Sequence, residues 1–207
     1  MTRNEPKQIV IVGGGIGGLA AALACARQGL PVQLLERAAQ LSEVGAGIQI
    51  GPNVMRILKA WGQGDALAQV AAFPRQLQAR DAQTGQVLGR LRLGDRAQTL
   101  YGAPYATIHR ADLHALLLQA AQAAGASVAL GQSAQSWTES PEGLTVHSAG
   151  GATWSADALV GADGLWSAVR QQLLGDGPAR FTGHLAFRAL VPQADLPSAL
   201  RTQDVTV

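Results

Sequence analysis

The first apolar run of the chain, Ile9-Val10-Ile11-Val12, is continuous rather than alternating. Such a run predicts a short parallel strand covered on both faces. Gly13-Gly14-Gly15-Ile16-Gly17-Gly18 follows at once, and then residues 19–28 form an Ala-rich stretch of high helix propensity stopped by Gly29. Pro31 opens a second apolar run, Val32-Gln33-Leu34-Leu35, which closes on Glu36. The predicted order is strand, glycine turn, helix, strand, acid.

Beyond Glu36 the pattern stops repeating βα units. Residues 43–53 read as a long glycine-punctuated loop, followed by a helix over 54–61 with Val54, Ile57, Leu58 and Trp61 on one face. Residues 77–81 and 87–93 are strand candidates around Thr84-Gly85, a hairpin belonging to a second, antiparallel layer. After Ile108-His109-Arg110-Ala111-Asp112-Leu113, the leucines at 113, 116 and 117 predict a helix stopped by Gly125. Residues 127–130 suggest a parallel strand, and 133–137, 144–147 and 153–154 a small β-meander. A buried strand over 158–162 leads into Asp163-Gly164, a helix over 167–174 follows, and 181–191 reads as extended. No internal repeat or low-complexity linker interrupts this α/β pattern.

Composition narrows the class. The 207 residues are 47% hydrophobic and 14% charged, enough to bury a sizeable core, which excludes intrinsic disorder. The formal net charge is +2 and the basic residues are scattered without interleaved aromatics, so no nucleic-acid partner is expected. The single cysteine, Cys25, excludes an internal disulfide and a Cys-rich zinc site, and no metal is expected. No apolar stretch reaches the ~18 residues of a spanning helix, and no cleavable signal is expected. A cytoplasmic protein without an integral membrane segment is the expectation.

The glycines have separate tasks. Gly13 permits the tight turn, Gly15 lets the backbone approach a pyrophosphate without a Cβ in the way, and Gly18 allows close packing of helix on sheet. The helix N-terminus, with Ile16 in the turn, offers unpaired N–H groups to phosphate charge. Glu36 can accept both hydroxyls of an adenosine ribose. Strand, glycine turn, helix and acid together specify dinucleotide binding, and the acid disfavours a 2′-phosphate, so FAD or NAD is expected over NADP. Arg37 reads either as a further cofactor contact or as a solvated side chain.

Later residues remain open on their own chemistry. Arg110, just ahead of a helix, can make bidentate contacts to phosphate or pair with Asp112 at the surface. Asp163-Gly164 is a turn that needs Gly, with an Asp able to cap the helix. Arg170, two helical turns on, can share a face with Asp163 and hold it ionised. Cys25 reads as a buried small hydrophobe, and Trp61, Trp137, Trp154 and Trp166 as packing. His114, His147 and His184 have no partners at metal spacing.

The glycine fingerprint ending in Glu36, the 43–53 segment, the run from His109 to Leu113 and the run from Asp157 to Gly164 continuing to Arg170 fall in one order. Together they resemble the single-component flavoprotein aromatic hydroxylases, the para-hydroxybenzoate hydroxylase superfamily, and within it the salicylate and 3-hydroxybenzoate 6-hydroxylase branch. The resemblance implies a Rossmann-like FAD-binding domain with a parallel sheet and a β-meander, plus part of an inserted antiparallel substrate-domain sheet. It implies FAD reduced by NADH or NADPH, reaction with O2 through a flavin C4a-hydroperoxide, and a small phenolic or benzoate-like aromatic substrate. By the same resemblance Glu36 binds the adenosine ribose, Arg110 the pyrophosphate or ribityl region, and Asp163, Gly164 and Arg170 join the cofactor site. Gly45, Ala46, Gly47 and Gln49 are implied to lie along the flavin.

The implied division is an FAD-binding domain over 1–72 and 105–180, and substrate-domain segments over 73–104 and 181–207. Arg188 would begin that last sheet, facing flavin or substrate or sitting at a strand edge. The family's second Gly-Asp motif has no match, so the chain is expected to be the front part of a longer or split protein. No catalytic base is assigned, and a homodimer is the assembly considered. Two alternatives accompany this reading. One is a noncatalytic or split FAD-binding module needing a partner half, the other a related quinone-pathway flavin hydroxylase.

Overall fold

The computed structural model describes residues 8–41 and 45–207. In chain order, β1 (Ile9–Val12), α1 (Ile16–Ala26) and β2 (Val32–Leu35) are followed by β3 (Gly47–Ile50), α2 (Pro52–Ala60), α3 (Gly64–Val70) and β4 (Ala71–Ala72). Then come β5 (Gln76–Arg80), β6 (Val87–Arg92), α4 (Gly94–Tyr101), β7 (Ala106–His109) and α5 (Arg110–Ala123). The remainder holds β8 (Ser127–Ala129), β9 (Ala134–Ser140), β10 (Gly143–Ser148), β11 (Thr153–Ala156), β12 (Ala158–Gly161), α6 (Ala168–Leu174) and β13 (Val205–Thr206). The chain divides into two compact units, Met1–Glu43 with His114–Leu185, and Val44–Leu113 with Ala186–Val207.

The first unit is built on a parallel sheet of order β12-β1-β2-β8. Its central strand β1 is buried along its whole length, as its unbroken apolar run requires. Val10 and Val12 share a core with Leu35, Val146 and Ala156, against which Trp137, Trp154 and Leu159 pack. That core joins the parallel sheet to the antiparallel meander β11-β10-β9. On α1, Leu19, Ala22, Leu23 and Ala26 are buried, the i, i+3, i+4, i+7 stripe of a helix laid on a sheet. The meander and both parallel strands flanking β1 lie where the apolar runs placed them.

The second unit contains an antiparallel sheet of order β3-β7-β4 and a sheet of order β13-β5-β6. The β5–β6 hairpin matches the expected pair of strands, with Gly85 at positive φ in the turn. Strand β13 runs parallel to β5, with Val205 opposite Leu77.

Three expectations need correction here, and two short helices were not anticipated. Part of the glycine-punctuated 43–53 loop is strand β3, because Ile48 and Ile50 pair opposite Ile108 and Ala106 of β7. Residues 43 and 44 of that loop lie outside the described residues. Helix α2 starts earlier, at Pro52, and buries Met55 and Leu58, while Val54 and Ile57 are exposed at 39% and 48%. Helices α3 and α4, at seven and eight residues, are too short to show a periodicity, and each buries a single residue, Leu67 and Ala97. Residues 181–191 form no strand, and Arg188 lies exposed in irregular chain rather than at a strand edge.

Candidate functional site

In the first unit a cavity of about 330 Å³ lies at the C-terminal ends of β1 and β2. The chain leaves β1 through α1 to reach β2 on one side, while β12 flanks β1 on the other. Crevices of this kind, where strand order switches direction, are where open α/β sheets take ligands. The cavity is lined by Gly13, Gly14, Gly15, Glu36 and Arg37, and across from them by Asp163 and Gly164.

The glycines differ in what they make possible. Gly13 has φ +106°, and a Cβ there would overlap the Ala162 carbonyl. A Cβ on Gly18 would overlap the Gly13 carbonyl oxygen, so this residue is needed for the turn to sit on the helix. Gly15, the N-cap of α1, is different. No atom lies within 4 Å of where its Cβ would stand, so the space beside its backbone is open. Ile16 is half-buried as the first residue of α1, behind the turn.

Glu36 ends β2 with its carboxylate turned back onto the glycine turn. Its Oε2 accepts from the Gly14 amide at 2.6 Å and its Oε1 from the Ala38 amide at 2.8 Å. Each oxygen retains a lone pair for a further donor. Arg37 is exposed at the rim. Opposite, Asp163 caps α6: its Oδ2 accepts from the amides of Ala168 (2.7 Å) and Val169 (3.2 Å), and its Oδ1 from the Ser167 hydroxyl. Ser167 Oγ in turn accepts from the Arg170 amide at 2.9 Å. Gly164 takes φ +78°, the left-handed turn expected of it.

The expected pairing of Arg170 with Asp163 is not formed. The Arg170 guanidinium turns instead to Asp176, with Nε 3.3 Å from Oδ2, and reaches the Leu165 and Gly177 carbonyls at 3.4 Å. The cause is local: the helix's own amides and the Ser167 hydroxyl already occupy both Asp163 oxygens. Arg170 does not line the cavity.

The remaining candidates belong to the second unit. Gly47 and Gln49 stand on β3 opposite His109 and Thr107. Arg110 opens α5, its amide donating to the Ala46 carbonyl at 3.2 Å. The Arg110 side chain packs on Gly45, where a Cβ would come within 2.7 Å of its Cδ, so Gly45 is set by that close approach.

Two lining residues escaped the sequence reading. Trp166, expected to pack in the core, is 66% exposed and lines the cavity. His114 is 5% exposed, and its Nε2 lies 2.7 Å from the Gly14 carbonyl oxygen. A histidine among the buried leucines of α5 was the available signal, since a buried polar group needs a partner. The Trp137 and Trp154 rings pack against the core as expected, and His147 meets Thr138 Oγ1 across the meander at 3.1 Å. Cys25 is half-buried. Among the described residues, no helix is long and apolar enough to cross a membrane.

A parallel sheet, a glycine turn feeding a helix N-terminus and an acid at the tip of the second strand define a dinucleotide-binding unit of Rossmann type. The chain belongs to the FAD binding domain family, which matches residues 7–200. It is 44% identical over 194 residues to a 3-hydroxybenzoate 6-hydroxylase of Klebsiella oxytoca, covering 93% of this chain and 48% of that protein. It is 38% identical over 204 residues to a 6-hydroxynicotinate 3-monooxygenase of Pseudomonas fluorescens, covering 99% of this chain and 52% of the relative. Among solved structures, Klebsiella pneumoniae HpxO complexed with FAD and uric acid is similar with a TM-score of 0.75 and 27% identity, over 84% of this chain and 43% of that one. The chain thus spans about half the length of the relatives it matches.

Proposed function

We propose that this chain acts as, or within, an FAD-dependent monooxygenase that hydroxylates a small phenolic or benzoate-like aromatic substrate with NADH or NADPH and O2. One observation carries the reading: in a chain of the FAD binding domain family, the backbone at Gly15 faces open space beside Glu36. A cofactor pyrophosphate needs that Cβ-free approach, so the residues present fit FAD. The relatives' names supply the substrate class, hydroxylated aromatic carboxylic acids.

In this reading Gly13, Gly15, Ile16 and Gly18 form the pyrophosphate turn, and the first amides of α1 meet its negative charge. Glu36 accepts from the adenosine ribose while keeping its two backbone donors, and Arg37 adds charge at the rim. Asp163 keeps α6 capped and, with Gly164, presents backbone to the cofactor. Gly47, Gln49 and Arg110 are assigned to the flavin side, and Arg170 supports the chain after α6. When bound, FAD supplies the redox chemistry that activates oxygen; the protein contributes binding, orientation and exclusion of water. The FAD-binding segments are 1–72 and 105–180, with substrate-domain segments at 73–104 and 181–207. A cytoplasmic homodimer is the assembly that goes with it.

The test is NADH and NADPH oxidation by the FAD-loaded chain, with and without 3-hydroxybenzoate or 6-hydroxynicotinate, under labelled oxygen. Oxidation stimulated by the aromatic acid, with one labelled oxygen atom in the product, is expected. Bound FAD that neither nucleotide reduces would overturn the enzyme reading in favour of a noncatalytic module.

A further inference from the structure

Three successive glycines, Gly13 to Gly15, give the turn the widest backbone freedom a chain can have. A cradle for phosphate must nevertheless hold its amides in one direction, because disorder is lost from the binding free energy. Two side chains restrain the middle glycine from opposite sides. Glu36 Oε2 accepts from the Gly14 N–H at 2.6 Å, and His114 Nε2 lies 2.7 Å from the Gly14 carbonyl oxygen. A carbonyl can only accept, so His114 Nε2 carries the proton and donates it.

The consequence reaches the neighbouring amide. In a trans peptide the carbonyl of one residue and the N–H of the next point in opposite directions. Holding the Gly14 carbonyl therefore fixes the direction of the Gly15 N–H. A peptide between two glycines can rotate at little steric cost, and a rotated one would present carbonyl oxygen where an amide stood. Oxygen there repels a phosphate.

We propose that His114 is a positioning residue for the dinucleotide pyrophosphate, holding the Gly14–Gly15 peptide with its amide in the binding orientation. The proposal rests on the FAD reading above. His114 is not itself required to touch the cofactor; its place on α5 lets that helix support the glycine turn.

The test uses the full chain in three forms: wild type, His114→Leu, which removes the donor, and His114→Gln, whose carboxamide N–H restores one. Each is titrated with FAD, and each is melted without FAD. His114→Leu is expected to bind FAD about tenfold more weakly, the upper worth of one hydrogen bond at about 1.4 kcal/mol. His114→Gln is expected to recover to within about threefold of wild type, since it restores the donor. A merely structural histidine would lower the melting temperature in both variants without this split in affinity, and that result would overturn the proposal. If His114→Leu does not fold, nitrogen NMR of wild-type His114 decides: a proton on Nε2 supports the clamp, and one on Nδ1 alone overturns it. Failure of the wild type to bind FAD would bring down the FAD reading as well, whereas equal binding by wild type and His114→Leu would remove only the clamp.

Discussion

Substitutions at Gly15 and Gly18 separate the demands of the ligand from those of the fold. At Gly15 the backbone angles, φ −73° and ψ 179°, suit any residue, and no atom lies within 4 Å of an added Cβ. Replacing a glycine N-cap with Ala costs about 1 kcal/mol, offset by about 0.4–1 kcal/mol from a less flexible unfolded chain. The unliganded protein should therefore melt close to wild type. FAD binding should weaken sharply, because the side chain occupies the approach to the turn. Losing two charge-assisted hydrogen bonds at about 1.5–3 kcal/mol each weakens binding by more than about a hundredfold. Gly15→Val, with the larger side chain, should abolish binding. Gly18→Ala behaves differently, since its Cβ overlaps the Gly13 carbonyl oxygen in a buried backbone turn. Overpacking of this kind costs about 1–3 kcal/mol or more, a fall in melting temperature on the order of 5 °C for a chain of this size. Circular dichroism melts and flavin fluorescence titrations read both quantities. Wild-type FAD affinity in Gly15→Val, or an unchanged melt in Gly18→Ala, would refute the reasoning.

Other substitutions test the neighbouring contacts. Glu36→Ala should weaken FAD by about 1.5–3 kcal/mol through lost charge-assisted hydrogen bonds, and an unchanged dissociation constant would remove the ribose role. Asp163→Ala removes the carboxylate from the start of α6, leaving the Ser167 cap, and should cost about 0.5–2 kcal/mol, seen as faster amide exchange at Ala168 and Val169. Arg170→Lys should leave those Asp163 contacts intact, because the Arg170 side chain pairs with Asp176 and not Asp163. Hydrogen bonds from Gln76 Nε2 (2.8 Å) and Gln78 Nε2 (3.2 Å) hold the Asp204 carboxyl below its usual range. A depressed folded pKa means the contribution is present above the unfolded pKa and is lost as pH falls through the folded one. Exchange of the β13 amides should accelerate on strong acidification, and Asp204→Asn should show a smaller acid step; identical profiles would contradict this.

Much of the first unit was legible because its strands are continuous apolar runs bounded by Gly and Pro. Strands β1 and β2 needed no partner to be recognised, and Gly125, at φ +98°, follows the end of helix α5 as its place in the sequence suggests. Helix α1 begins at Ile16 rather than at the Ala-rich stretch, since its glycines lie in the first turn, where packing on the sheet outweighs propensity. Strand β3 was hidden because its Gly-rich segment becomes a strand only through long-range pairing with β7. The same limit applies within the site. The glycines and Glu36 declare themselves by local spacing, but the partner of Arg170 depends on which donors occupy Asp163 in the folded chain. The contact between His114 and Gly14 joins residues a hundred positions apart, and no local pattern announces it.

The most direct test of the account is an equilibrium titration of the purified 207-residue chain with FAD, followed by visible absorbance and competed with ADP. Binding of one FAD per chain with a perturbed flavin spectrum, displaced by ADP, is the predicted result, because the proposed site assigns the nucleotide half of the cofactor to the first unit. A chain that leaves the flavin spectrum unchanged at saturating concentrations would contradict it.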